Sequence, residues 1–400
     1  MDEILSTFNP WWAKEYSTPG IRRENYLELM RNYLKVKEVI FLVGMRRVGK
    51  TTIMRHFISE LLEEVPPEKI LYVSMDHPGL RGYSIMDIEK QFRRMHGHSM
   101  TDKVFLLLDE VHLHDDFELE LKVLHDLERT KIYASGSASI FLLEKGAYLT
   151  GRQHFIDVHP FDFNEYMELK GISYNLNDTS PLIKIADDYV LSGGLPEYLQ
   201  REDPNYQIDL LGSILYKDVM SRHSLKNIGS IRDLSQLLSQ SVGNGLSLRK
   251  IAGILNLSPS CVSDYISFFQ ETKLVDLVER EGKISERKVS PKKVYFTDNG
   301  MVRVLSPNLN LGALVENLVF NELRKTSEPR YLIERGREID FVFGDTAVEV
   351  KYKDDISDKD LEPLLKTKRY SEKIMITKCR KEVIKGIRLV PLYRFLLEGI

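Results

Sequence analysis

Residues 44–51 read Gly-Met-Arg-Arg-Val-Gly-Lys-Thr, and the apolar run Val39-Ile40-Phe41-Leu42-Val43 leads straight into them. A buried strand feeds a glycine-bounded loop, and the loop opens the helical run Thr51-Thr52-Ile53-Met54-Arg55-His56-Phe57. That order of strand, loop and helix makes the octapeptide a phosphate cradle. Gly44 and Gly49 free the backbone to fold into a nest, in which the amides across Arg46, Arg47 and Val48 point inward. Lys50 supplies a point charge for β- and γ-phosphates, the Thr51 hydroxyl can ligate Mg²⁺, and Thr52 continues the first turn. The positive end of the following helix faces the same anion. The chain is expected to bind ATP or ADP, with Mg²⁺.

Four hundred residues exceed what one core usually holds, so two or three domains are expected. With 56 Lys and Arg against 59 Asp and Glu, any nucleic-acid surface must be a local patch. Cys261 and Cys379 are the only cysteines, which argues against a disulfide framework and suits a reducing compartment. No secretion signal is visible, and no apolar stretch is long enough to span a bilayer. A cytoplasmic protein with no membrane partner is expected.

After a polar lead-in carrying Trp11 and Trp12, strand signals at 39–43, 70–74, 104–108, 132–134 and 155–158 alternate with helical stretches near 51–64, 85–95, 117–128 and 138–144. Such alternation predicts a parallel sheet covered on both faces. The two tryptophans either cover a nucleotide base or anchor the lead-in to its own domain. A polar stretch at 171–180 marks a boundary, and Gly193-Gly194-Leu195-Pro196-Glu197 reads as a helix stop and turn. Residues 248–255 and 260–269 form a helix pair about the turn 256–259, with strand-like segments at 274–278 and 293–296 suggesting a wing. From about 300 the pattern alternates again: a helix at 313–325, strands near 330–334, 338–343 and 346–352, then a helix, a strand and a tail.

Phe105-Leu106-Leu107-Leu108-Asp109-Glu110 ends an apolar strand in two carboxylates. After such a loop, Asp109 is placed to hold Mg²⁺ and Glu110 to polarise the water attacking the γ-phosphate. Ser135 or Ser137, in Ser135-Gly136-Ser137-Ala138-Ser139, either positions that water or caps the helix at 138–144. Arg152 either reaches a γ-phosphate or forms a surface salt bridge. Together with Pro160-Phe161-Asp162-Phe163-Asn164-Glu165-Tyr166 and the Gly193-Gly194 segment, these motifs resemble the AAA-type ATPases widespread in archaea and bacteria that carry a winged-helix region and a C-terminal restriction-endonuclease-like domain. The resemblance covers nearly the whole chain. It implies an AAA+ type core, Ser137 near the sensor position, and Arg152 as an arginine finger in cis or from a neighbour. A finger in trans requires at least a homo-oligomer.

A second constellation lies near the C-terminus. Glu349 and Lys351, in Ala347-Val348-Glu349-Val350-Lys351, share a strand face, and Asp340 stands on the preceding strand of a hairpin turning at Gly344-Asp345-Thr346. This resembles the PD-(D/E)XK nuclease signature, and Glu316 on the helix before it matches the acidic residue often added there. Asp340, Glu349 and Glu316 would hold Mg²⁺, with Lys351 steadying a water against a phosphodiester. The alternative is a cross-strand charge cluster without catalysis. DNA is the expected partner. Arg280, Lys283, Arg287, Lys288, Lys292 and Lys293 offer one set of phosphate contacts, and Lys378, Arg380, Lys381, Lys385 and Arg388 a second. His112, His114 and His125 read as surface residues rather than zinc ligands. The expected fold class is α/β, with three parts: a P-loop NTPase core of AAA+ type at 1–170, a helical lid and winged helix at 171–290, and a restriction-endonuclease-like α/β domain at 291–400.

Overall fold

A computed structural model describes residues 1–136, 149–176, 178–220, 228–308 and 310–400. Ser137, Ser139 and the helix expected at 138–144 lie outside the described residues. The chain packs as two compact units, Met1–His159 with Glu271–Lys273, and Pro160–Gln270 with Leu274–Ile400.

The first unit is built on five parallel strands: β1 (Val39–Val43), β2 (Ile70–Ser74), β3 (Val104–Asp109), β4 (Thr130–Gly136) and β5 (Gln153–Asp157). Their order is β2-β3-β4-β1-β5. Every residue of β1 is buried, as a central strand covered on both faces requires. This order inserts β4 between β1 and β3, so the loop after β1 and the carboxylates ending β3 flank the end of β4. Edge strand β2 is sealed by the lead-in. The Asn9 amide donates to Tyr72 O (2.8 Å) and accepts from Tyr72 N (2.7 Å), imitating a neighbouring strand. Trp11 and Trp12 both donate their indole N–H to Ile70 O, at 3.3 and 3.0 Å. The tryptophans therefore anchor the lead-in.

In the second unit, helix Thr179–Ser192 stops at Gly193, whose φ of +73° suits glycine, and Pro196 opens the next helix. A Cβ on Gly194 would overlap Phe161 O, and one on Gly193 would meet the Asp298 carboxylate. Gly194 also donates to Asp298 Oδ2 (2.7 Å) and accepts from Phe161 N (2.7 Å), so it cannot retreat. Gly194→Ala is expected to lower stability by about 3 kcal/mol, the scale of forced overpacking. Urea unfolding reads this directly, and a loss within experimental error would refute the close-approach account.

Asp298 is itself buried at 3% exposure. Burial pushes its carboxyl up to about 6 from 3.8, although the amides of Gly194, Met301 and Gly300 pull the other way. The folded state thus keeps a proton that the unfolded state releases. The sign follows: the stabilising contribution is complete below about pH 4 and is lost as pH rises through about 6, on the order of 3 kcal/mol in all. Melting of wild type against Asp298→Asn from pH 5 to 8 should show wild type falling relative to the variant. Parallel curves would remove Asp298 as the cause.

Helices Leu248–Leu255 and Pro259–Glu271 follow, with Asn256 at φ +54° between them. Then β6 (Val275–Val278) and β7 (Lys293–Phe296) pair antiparallel, and a short helix, Ile284–Val289, lies in the connection. The other edge of β7 is met by a helix: Asn317, on Leu311–Leu323, accepts from Phe296 N (2.7 Å) and donates to Phe296 O (2.8 Å), and Asn321 donates to the same carbonyl. The last sheet contains β8 (Arg330–Glu334), β9 (Arg337–Phe343), β10 (Thr346–Lys351), β11 (Glu372–Thr377), β12 (Glu382–Ile384) and β13 (Ile387–Pro391), in the order β12-β13-β11-β10-β9-β8. Strands β10, β11 and β13 run parallel. The expected tail after β11 is thus two more strands and helix Leu392–Glu398. Its apolar residues Ile387 and Leu389 join Leu332, Ile339, Ala347 and Met375 in the core.

Candidate functional site

The loop after β1 adopts the nest that its glycines foretell. Arg47 (φ +69°) and Gly49 (φ +100°) both take left-handed backbone, the conformation from which anion-binding nests are built. A Cβ on Gly44 would overlap Val158 O, which fixes a hydrogen at that position. Helix Lys50–Glu64 begins directly at Lys50. The Lys50 ammonium, 4% exposed, donates to Gly44 O (3.0 Å) and Met45 O (3.1 Å), so it lies within the curl of the loop.

Asp109 is the hub. Its Oδ2 accepts from Thr51 Oγ1 at 2.6 Å and from Tyr72 OH at 2.9 Å, while Oδ1 accepts from the Ser135 hydroxyl. Ser135 Oγ in turn accepts from Glu110 N at 3.0 Å. One buried hydroxyl thus links both carboxylate residues, and Glu110 departs from the strand with φ +51°, an unusual conformation for a non-glycine. His112 Nδ1 lies 3.5 Å from Glu110 Oε2. The Thr51 hydroxyl and Asp109 carboxylate, already adjacent, form an oxygen pair suited to Mg²⁺. Burial, with the adjacent Asp109 charge, pushes the Tyr72 phenol far above its ordinary value, so it stays a donor. The sequence reading missed Tyr72 because its role depends on β2 lying beside β3.

The second constellation also assembles. The register pairing Val348 with Phe341 carries Glu349 opposite Asp340. Asp340 and Glu349 are 8% and 3% exposed, and Lys351 Nζ reaches Glu349 Oε1 at 2.6 Å. Asp340 Oδ2 accepts from Val350 N at 2.8 Å. Burial and the neighbouring Asp340 raise the Glu349 carboxyl to about 8 and the Glu316 carboxyl to about 7, against the lowering pull of Lys351 and Lys293 respectively. Tyr295 OH donates to Glu316 Oε1 at 2.8 Å.

Lys293, expected among the phosphate contacts, is only 1% exposed. Its Nζ lies 2.6 Å from Glu338 Oε1, 3.4 Å from Glu316 Oε1 and 3.7 Å from Asp340 Oδ1. Burial alone would lower its pKa, but these carboxylates hold it well above the ordinary lysine value. A signal existed in the sequence: Lys293 and Tyr295 share one face of a strand that is otherwise Val and Phe. Other members of the two basic sets are paired, Arg287 and Lys292 with Glu279, Arg380 with Glu382, Lys385 with Asp358 and Arg388 with Glu372. Lys283, Lys288 and Lys381 are exposed. Among the described residues, no group of three or more His, Cys, Asp or Glu side chains is arranged to hold a metal ion.

Residues 36–167 match the family model of an AAA domain. Over that span the chain is similar to AAA domains. Residues 183–313 and 311–395 match two domains of unknown function, DUF8612 and DUF4143. The chain is 27% identical over 345 residues to the uncharacterized protein MJ1544 of Methanocaldococcus jannaschii, covering 81% of this chain and 75% of that protein. An uncharacterized protein of Haemophilus influenzae is 24% identical over 402 residues, covering 94% and 99%. Among solved structures, the Aeropyrum pernix ORC2 protein in ADPNP and ADP complexes aligns over 78% of this chain and 97% of that one, at 15% identity and TM-score 0.42. AMPPCP-bound DnaA from Aquifex aeolicus aligns over 66% and 93%, at 17% identity and TM-score 0.30.

In the first unit, Arg23 is a second residue the sequence reading missed. Buried at 5% exposure, it donates to Val48 O (3.2 Å) and His159 O (2.9 Å), bracing the phosphate loop from the lead-in. Arg152 pairs through Nε with Asp126 Oδ1 at 3.0 Å, the salt bridge of its two readings. The histidines are less superficial than their polar setting suggests. His125 is 4% exposed with Nδ1 3.1 Å from Asp126, and His114 Nε2 lies 3.0 Å from Glu120. Among the described residues, no helix is long and apolar enough to cross a membrane.

Proposed function

We propose that the chain is a Mg²⁺-dependent, ATP-hydrolysing switch that works on DNA, its AAA-type core governing a winged-helix region and a restriction-endonuclease-like domain. The observation that carries this reading is the hub at Asp109, which joins Thr51, Tyr72 and Ser135 beside Glu110. In the reaction, the loop amides and Lys50 would hold the phosphates, and Thr51 and Asp109 would hold the metal ion. Mg²⁺ supplies charge neutralisation at the β- and γ-phosphates. Glu110 orients the attacking water, with its backbone held by Ser135. Arg152, partly exposed beside Asp126, is assigned no step in this scheme.

DNA engagement is supported by the pair of helices followed by the β6–β7 hairpin, an arrangement that can present a helix to a groove. The second helix exposes Ser260, Ser263, Asp264 and Ser267, while Arg249 and Lys250 are exposed on the first. This favours phosphate contacts over base reading. Fluorescence anisotropy with branched, single-stranded and duplex DNA, with and without ATP, tests the reading. Affinity that weakens with salt and changes with nucleotide supports it. Failure to bind any of the three overturns it.

A second reading, cleavage of DNA by the C-terminal domain, rests on the convergence of Asp340, Glu349 and Lys351, and the lysines already seated among these carboxylates weigh against it. It requires that wild type cut one of these substrates and that Lys351→Ala not. Equal behaviour of the two proteins on every substrate ends the cleavage reading.

A further inference from the structure

A metal-dependent nuclease of the proposed fold needs a divalent ion among its carboxylates. Here four acidic side chains meet, Glu316, Glu338, Asp340 and Glu349, and two ammonium groups already lie among them. Lys351 answers Glu349. Lys293 answers the other three, with Nζ 2.6, 3.4 and 3.7 Å from Glu338, Glu316 and Asp340. The remaining surroundings fit an ammonium as well: Tyr295 OH closes the second approach to Glu316 Oε1, and the Tyr331 ring centroid lies 5.6 Å from Nζ. Gly243, at φ +74°, leaves the room that the Glu316 carboxylate fills, since a Cβ there would meet both its oxygens.

Lys293 is not a loose surface chain that happens to fold inward. It opens β7, whose residues are all buried, and β7 is held by β6 on one edge and by the Asn317 and Asn321 amides on the other. Moving the ammonium away would mean breaking that strand's hydrogen bonds or leaving several carboxylates uncompensated in a buried place, and both are costly. The site therefore does not fit a divalent ion in this arrangement.

From this we infer that Lys293 is the resident cation of the carboxylate cluster, standing where a nuclease of this fold would hold a metal ion. The inference rests on the reading of 291–400 as nuclease-like, and it deepens that reading by making the domain metal-independent. The same contact fastens the β6–β7 hairpin to the C-terminal sheet, so one lysine serves both charge balance and domain cohesion. On this account the wild-type domain binds without cutting.

The test is thermal unfolding of the full chain without nucleotide, in EDTA and in millimolar Mn²⁺. Wild type should melt at the same temperature in both. Lys293→Met should melt several degrees lower in EDTA and recover in Mn²⁺, because the divalent ion replaces the lost charge and binds only the folded state. Asp340→Asn in the Lys293→Met background should abolish that recovery. A wild-type melting point that rises in Mn²⁺ and loses the rise in Asp340→Asn overturns the inference, as does a Lys293→Met protein that melts like wild type or does not respond to Mn²⁺. Should Lys293→Met fail to fold, the comparison of wild type with Asp340→Asn decides alone. DNA affinity is a separate readout, so failure of the DNA reading leaves this result standing.

Discussion

Replacing Lys50 by alanine abolishes ATP turnover, with kcat/KM falling on the order of 10³-fold or more. The size follows from where the ammonium lies. It is 4% exposed and curled against Gly44 O and Met45 O, so its charge acts in a site from which water is largely excluded. Of the three basic residues on the loop, Lys50 is the buried one, while Arg46 is partly exposed and Arg47 exposed. Phosphate release measured with saturating Mg²⁺ and ATP checks this, alongside a melting curve to show that the variant is folded. Hydrolysis at the wild-type rate would remove residues 44–51 from the reaction.

Glu110→Gln should keep ATP binding and slow hydrolysis by roughly 10²- to 10³-fold, the usual worth of a positioned base. Glutamine retains the shape and accepts the same φ of +51°, and the bond from Glu110 N to Ser135 Oγ involves only backbone on the Glu110 side. Asp109 and its three partners are therefore undisturbed. Binding of a fluorescent ATP analogue separates the two steps. If affinity collapses together with turnover, Glu110 shapes the site instead of acting in it.

Much of the first unit was legible in the chain. A strand, a glycine-bounded loop and a helix in immediate succession admit few geometries, and strands β1 to β4 fall at or within two residues of the apolar runs that announce them. The Gly193-Gly194 turn was likewise visible, because glycine there reports a backbone angle and a close approach. What escaped were partners brought together across distance. Arg23 and Val48 are 25 residues apart, Tyr72 and Asp109 are 37 apart, and neither pair carries a local pattern. The last two strands escaped because the apolar alternation in β13 is brief and β12 has three residues.

Sequence alone determined that residues 44–51 form a glycine-bounded turn between a strand and a helix and that the apolar strand at 104–109 closes on Asp109, because local geometry and residue chemistry suffice for both. It also brought Asp340, Glu349 and Lys351 onto neighbouring strands through the period of two. Which cation those carboxylates hold is a different kind of fact. Lys293 precedes Glu316 by 23 residues and Asp340 by 47, and although its place on an apolar strand hints at burial, nothing local names the acids it meets. Only the packing of β7 beside helix Leu311–Leu323 and β9 buries it among Glu316, Glu338 and Asp340, where solvent no longer screens its charge. Tertiary structure turned a surface lysine into a counter-ion.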